Sequence, residues 1–139
     1  GQMMDIVGEG QALDLHAITR LQQLKTGALL GAAVEMGAVL GKVAPEGRLH
    51  LRGFARDAGL AFQIADDLID HAGDAVSAGK AVGKDAAAGK QTFVATVGAE
   101  RAREQAQMLA DQAIAHLAAH GHEADLLRAL ARYMVERDR

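Results

Sequence analysis

The sequence has no cysteine, no tryptophan and a single proline, and aromatic residues make up only 3% of its 139 positions. Without cysteine there is no disulfide and no thiolate chemistry, and the cytosol is the simple inference for its compartment. The net charge is also small. Fifteen basic and 18 acidic side chains leave a net −3, which gives no electrostatic reason to bind nucleic acid or an anionic membrane surface. The longest apolar run, Thr26 to Gly41, contains Glu35 and is too short to cross a bilayer comfortably, and no secretory signal is visible. No stretch alternates apolar and polar residues as a half-buried strand would. What remains is mostly alanine and leucine with 16 glycines, in a chain that is 50% hydrophobic. Small side chains at helical spacing let helices approach closely, so the expectation is a tight all-α assembly forming one domain over residues 1–139.

The stretch that organises the rest is Phe62-Gln63-Ile64-Ala65-Asp66-Asp67-Leu68-Ile69-Asp70. On a helix Asp66 and Asp70 lie four residues apart and Asp67 and Asp70 three, so their carboxylates crowd one side. Gly59, Gln63, Asp66 and Asp70 trace a polar strip, and Phe54, Ala58, Ala61, Ala65 and Leu68 an apolar one. Like charges at this spacing cost an isolated helix roughly 0.2–0.5 kcal/mol per pair. A cation among them reverses that cost, and hard oxygen ligands point to magnesium or calcium. Taken alone, the motif would read as a wet helix end with surplus acid. The next segment, Lys80 to Lys90, changes that reading, because it carries three lysines among glycines. Carboxylates that hold a divalent ion, followed by ammonium groups on a glycine-bearing segment, suit a ligand rich in phosphate.

Asp66-Asp67-Leu68-Ile69-Asp70 resembles the second aspartate-rich motif, DDxxD, of the trans-isoprenyl diphosphate synthases, or polyprenyl synthetases. The likeness is greatest to the bacterial farnesyl and geranyl diphosphate synthase group. Phe62-Gln63, Gly83-Lys84-Asp85 and Lys90-Gln91-Thr92-Phe93 match that family in order and spacing. So do Lys25-Thr26-Gly27, Gly1-Gln2 with Asp5, and the closing Glu136-Arg137-Asp138-Arg139, so the likeness covers essentially the whole chain. The family's first motif, DDxxxxD, precedes the Gly1-Gln2 element. Here Asp66 and Asp67 are the only adjacent aspartates, so the chain is expected to be the C-terminal half of such an enzyme.

The resemblance implies a helical bundle of the isoprenoid synthase type, working as a cytoplasmic homodimer without membrane insertion. It implies a magnesium-dependent condensation of an allylic diphosphate with isopentenyl diphosphate. Carried over residue by residue, Asp66, Asp67 and Asp70 hold Mg2+, and Asp66 joins Lys25 and Thr26 in the catalytic set. Lys25 contacts the allylic diphosphate, and oxygens at Thr26 face the developing carbocation. Phe62 and Gln63 border the substrate, Lys84 binds diphosphate beside Asp85, and Arg137 and Arg139 close over the diphosphate of the homoallylic substrate. One departure is visible: the family often has KxTYP where this chain has Lys90-Gln91-Thr92-Phe93-Val94. Valine for proline loosens the entry to the next helix and removes no ligand.

The remaining segments read as scaffold. Leu13, Ala17, Leu21 and Leu24 give one amphipathic helix, with a break or kink expected at Gly27 because glycine costs about 1 kcal/mol in a helix interior. Leu29, Ala33, Met36 and Leu40 give the apolar stripe of a second helix from Ala28 to Gly41, with Met36 read as core. The acidic-motif helix is expected from about Leu49 to Gly73, with Arg52, Arg56 and Asp57 on a solvated face. Ala102, Ala106, Leu109, Ala113 and Leu117 give the inner face of a helix over 99–119, and Leu127, Leu130 and Met134 that of a last one over 124–135. His116 and His120 have metal-ligand spacing, but nothing joins them, and histidine is at home at a helix end. Two other functions remain open: a noncatalytic prenyl-synthase-like subunit, and a class I terpene cyclase. Intact acidic and lysine positions speak against the first, and DDLID speaks against the second.

Overall fold

A computed structural model describes residues 2–7, 14–78 and 92–137. All regular structure among them is helical, and the class read from the sequence is the class observed. The elements are α1 (Gln2–Val7), α2 (Leu15–Gln22), a π-helical turn (Gln23–Gly27), α3 (Ala28–Leu40), α4 (Pro45–Ala78), α5 (Phe93–Val97), α6 (Ala99–Ala115), a 3-10 turn (His122–Ala124) and α7 (Asp125–Glu136). Among the described residues no helix is long and apolar enough to cross a membrane.

The axis of the molecule is α4, 34 residues long, and its largest interface is with α6. That interface is built from alanine. Ala58 and Ala61 on α4, and Ala102, Ala106, Ala110 and Ala113 on α6, are each at most 3% exposed. Short side chains on both surfaces bring the two backbones together, which is where the chain's shortage of aromatics is compensated. α4 starts four residues earlier than the sequence pattern indicates, because Pro45 suits the first helical turn, where its missing N–H costs nothing. It also runs past Gly73, since one glycine weakens a helix without ending it.

The expected interruption at Lys25-Thr26-Gly27 is present in a particular form. α2 passes into α3 through five π-helical residues with helical backbone at Gln22 and Ala28, so the chain widens by a residue and does not break. α4 passes very close to this turn. A Cβ on buried Gly59 would lie 3.3 Å from the Gly27 Cα, so the crossing leaves little room for a side chain there.

Two helical faces differ from the sequence reading. On α2 the buried residues are Ile18 and Gln22, while Leu24 falls in the π turn and is 41% exposed. On α3 the expected core stripe is outside: Leu29, Met36 and Leu40 are 74%, 62% and 83% exposed, and Met36 is not core. The one charged residue of α3, Glu35, turns toward α4, where it accepts from Arg52 at 2.8 Å, and the rest of the helix is apolar, so apolar periodicity could not select its inner face. Its inner side borders an apolar cavity of about 440 Å³ between α3, α4 and α7, with Val34, Ala38, Phe54 and Met134 in its wall. On α7, Met134 and Ala131 are buried, Leu127 is half-buried, and Leu130 is exposed along the cavity rim.

Asp57 is the largest departure. It lies on the supposed solvated face but is 4% exposed. Arg56 Nε donates to its Oδ1 at 2.8 Å, and His116 Nε2 meets its Oδ2 at 3.1 Å. The His116 ring lies flat against Gly53, where a Cβ would be 2.5 Å from it. Like Leu117 after it, His116 therefore serves to seat the end of α6 on α4. The other histidines here are also structural: His122 Nδ1 pairs with Asp125, and Arg128 donates to the carbonyls of Leu117, His120 and Gly121 at the end of α6.

Candidate active site at the acidic turn of α4

The C-terminal half of α4 carries the motif, and its three aspartates have three different environments. Asp66 is half exposed and accepts from Arg137 at 2.8 Å. The Arg137 guanidinium also lies 4.6 Å over the ring of Phe62, one turn earlier on the same helix, so the residue that leaves α7 is clamped between an anion and an aromatic face. Asp70 is exposed.

Asp67 turns inward. Its Oδ2 accepts from Gln22 Nε2 at 3.0 Å and from the backbone N–H of Phe93 at 3.3 Å. Both donors are neutral. Burial therefore dominates and raises its pKa from 3.8 to about 6; the Phe93 and Gln22 bonds oppose that rise, and the charges of Asp66 and Asp70 add to it. The position of Phe93 is set locally, because Thr92 caps α5 by accepting from Ala95 N at 3.1 Å. The valine that follows does not spoil this entry: Val94 is buried in the core with Ile18, Ile64 and Phe93.

The structure thus brings together Phe62, Asp66 and Arg137 on one side of the motif, and Asp67, Gln22 and Phe93 on the other. Gln63 is half-buried one turn before Asp67. Lys25 is exposed and Thr26 half-buried in the π turn, which packs on α4 at Gly59, one turn before Gln63. Lys84 and Arg139 lie outside the described residues, as do Lys80, Asp85 and Lys90. Among the described residues no three histidine or acidic side chains converge enough to enclose a metal by themselves. One or two of the motif's carboxylates are still a suitable start for a cation that draws its other ligands from phosphate and water. Sequence reasoning missed Gln22. The available signal was a glutamine four residues after Ile18, on the same helical face.

Comparison with known proteins gives one consistent answer. The model of the polyprenyl synthetase family matches residues 1–133. The farnesyl diphosphate synthase of Escherichia coli is 39% identical over 145 residues, covering 100% of this chain and 48% of its own length. The mitochondrial geranylgeranyl pyrophosphate synthase 10 of Arabidopsis thaliana is 40% identical, over 99% of this chain and 41% of its own. Among solved structures, an FPP/GFPP synthase of Zymomonas mobilis superposes with a TM-score of 0.80 at 49% identity, over 96% of this chain and 43% of that one. A geranyltransferase of Helicobacter pylori, solved with magnesium and isoprenyl diphosphate, superposes with a TM-score of 0.71 at 30% identity, over 96% of this chain and 44% of that one. The chain spans just under half the length of the curated relatives it matches. A helical scaffold with these alanine seams, this acidic turn and this continuous match along the sequence belongs to the polyprenyl synthetase family.

Proposed function

We propose that the chain is the C-terminal part of a short-chain prenyltransferase, which joins an allylic diphosphate to isopentenyl diphosphate with the help of magnesium. Family membership supports the reaction class, and the greater length of the relatives supports the partial coverage. The exposed apolar residues of α3, and the cavity beside it, fit a bundle whose other helices come from upstream sequence or from a second copy in a homodimer.

The observation that carries the reading is Asp67. A carboxylate with two more on its own helix, met only by neutral donors and with its pKa raised to about 6, gains most from a divalent cation. Asp66, Asp67 and Asp70 would hold it. Magnesium, when bound, would neutralise charge that builds on the departing diphosphate. Arg137 can exchange its Asp66 partner for a phosphate oxygen while keeping its contact with Phe62, because a guanidinium binds both anions in the same fork geometry. Lys25 offers an ammonium group from the π turn, and Thr26 a hydroxyl and a carbonyl toward the cationic carbon of the substrate. Lys84 and Arg139 add further positive charge for diphosphate. The released diphosphate accepts the proton lost after condensation, so no side-chain base is required.

The test is a product assay on the full-length protein, with labelled isopentenyl diphosphate and either dimethylallyl or geranyl diphosphate. A linear, longer diphosphate that requires Mg2+ and disappears with EDTA is the expected result. A cyclic hydrocarbon would identify a cyclase, and an absence of turnover a noncatalytic subunit; either would overturn the reading.

A further inference from the structure

Among the described residues the buried polar side chains are Gln22 and Asp57. Asp57 has a guanidinium and an imidazole as partners, and its role in joining α4 to the end of α6 is explained by them. Gln22 has no such account. It is the last residue of α2 and is 6% exposed, and a carboxamide is costly to bury unless its hydrogen bonds are replaced. Here they are only half replaced. Nε2 donates to Asp67 Oδ2, while Oε1 is buried with no hydrogen-bond partner among the described residues. Methionine, of the same length, would fill this space without an orphaned acceptor, so packing does not explain the choice of residue.

The destination of Nε2 does explain it. Gln22 and the Phe93 N–H reach the same oxygen of Asp67 from two different elements, 45 residues upstream and 26 downstream of it. Two neutral donors on one oxygen fix the plane of a carboxylate without cancelling its charge, and neither engages its other oxygen. Partners of this kind orient metal ligands in many sites. We propose that Gln22 is a positioning residue for Asp67: its carboxamide, with the Phe93 N–H, holds that carboxylate in a fixed orientation in which it meets a divalent cation carrying diphosphate.

The inference rests on the metal reading of Asp67 given above, and its test separates the two. Mn2+ binding to the full-length protein is followed by the electron paramagnetic resonance of the free ion, in the presence of inorganic pyrophosphate. Gln22→Met, which keeps length and volume, is expected to raise the apparent dissociation constant about tenfold, while Gln22→His, which keeps an N–H donor, stays within about twofold of the parent. Half-saturating Mg2+ in the prenyl-transfer assay should move in parallel, with KM for the allylic diphosphate unchanged at saturating Mg2+. A purely structural glutamine would lower the melting temperature of Gln22→Met and leave Mn2+ binding as in the parent; that result overturns the proposal. If Gln22→Met fails to fold, Gln22→Leu withdraws the donor without adding charge, and the same loss of Mn2+ affinity is expected. If the parent protein itself binds no Mn2+ with pyrophosphate, the metal reading fails first and the role of Gln22 falls with it.

Discussion

Two aspartates on α4, ten residues apart, have been treated in opposite ways. Asp57 is almost fully buried and has a guanidinium at 2.8 Å and an imidazole at 3.1 Å. Asp67 is partly buried and has only a carboxamide and a backbone N–H, so its pKa rises to about 6. Both sit on the same helix, Asp57 facing the end of α6 and Asp67 facing α2 and α5. Asp57 is neutralised from within the protein and ties α4 to the end of α6. Asp67 is oriented but not neutralised, which leaves its charge available to something from outside.

The sharpest way to break this comparison is to neutralise the second aspartate. Asp67→Asn is expected to lower prenyl transfer by the full-length protein roughly 100-fold or more, because it removes charge from the diphosphate clamp. It should at the same time raise the melting temperature of the metal-free protein at pH 8. The sign follows from the pKa. With a folded value of about 6 against an ordinary 3.8, Asp67 binds its proton more tightly in the folded state. Its contribution to stability is therefore full below the ordinary value and is lost as pH rises through about 6. The asparagine variant should lack that decline. Melting curves between pH 4 and 8 in EDTA decide it, and an equal decline in parent and variant would refute the assignment.

The opposite manipulation is smaller and purely structural. His116→Phe keeps a ring against Gly53 but removes one of the two side-chain partners of Asp57. Leaving a buried polar oxygen without its hydrogen-bond partner costs about 1–3 kcal/mol, so a loss of about 2 kcal/mol is expected from urea unfolding. Mg2+ dependence should not change. A shift in Mg2+ half-saturation would mean that the two aspartates are coupled, contrary to the comparison.

Thr92→Ala tests the weaker of the two grips on Asp67. Loss of an N-cap costs about 1 kcal/mol, here confined to the first turn of a five-residue helix. The expected outcome is a small fall in stability with a few-fold loss of Mn2+ affinity, less than that of Gln22→Met. Unchanged affinity would assign the orientation of Asp67 to Gln22 alone.

Much of this was legible in the sequence, and the parts that were not share a physical cause. The helical class, the alanine face of α6 and the placement of the acidic motif on a helix follow from spacings of three and four residues, and the irregularity around Lys25 follows from the glycine at position 27. Asp57 was not legible, because its imidazole partner is 59 residues away and local spacing shows only a charged patch beside Arg56. Gln22 was missed for the same reason, with 45 residues between it and Asp67. Leu29, Met36 and Leu40 were misplaced because α3 is apolar except for Glu35, and that one charge turns inward to Arg48 and Arg52 of α4 instead of marking the solvent side.

The π turn from Gln23 to Gly27 carries one residue more than a regular helix would need. Deleting that surplus residue would let the ladder close as ordinary α-helix, and everything before it would rotate by about 100° about the helix axis. Ile18 would swing off the core and the Gln22 carboxamide would leave the carboxylate it now touches, with not one atom of the acidic motif altered. A single codon far from the aspartates therefore sets the angular phase between two halves of the site, and insertions or deletions there are the changes this scaffold can least absorb.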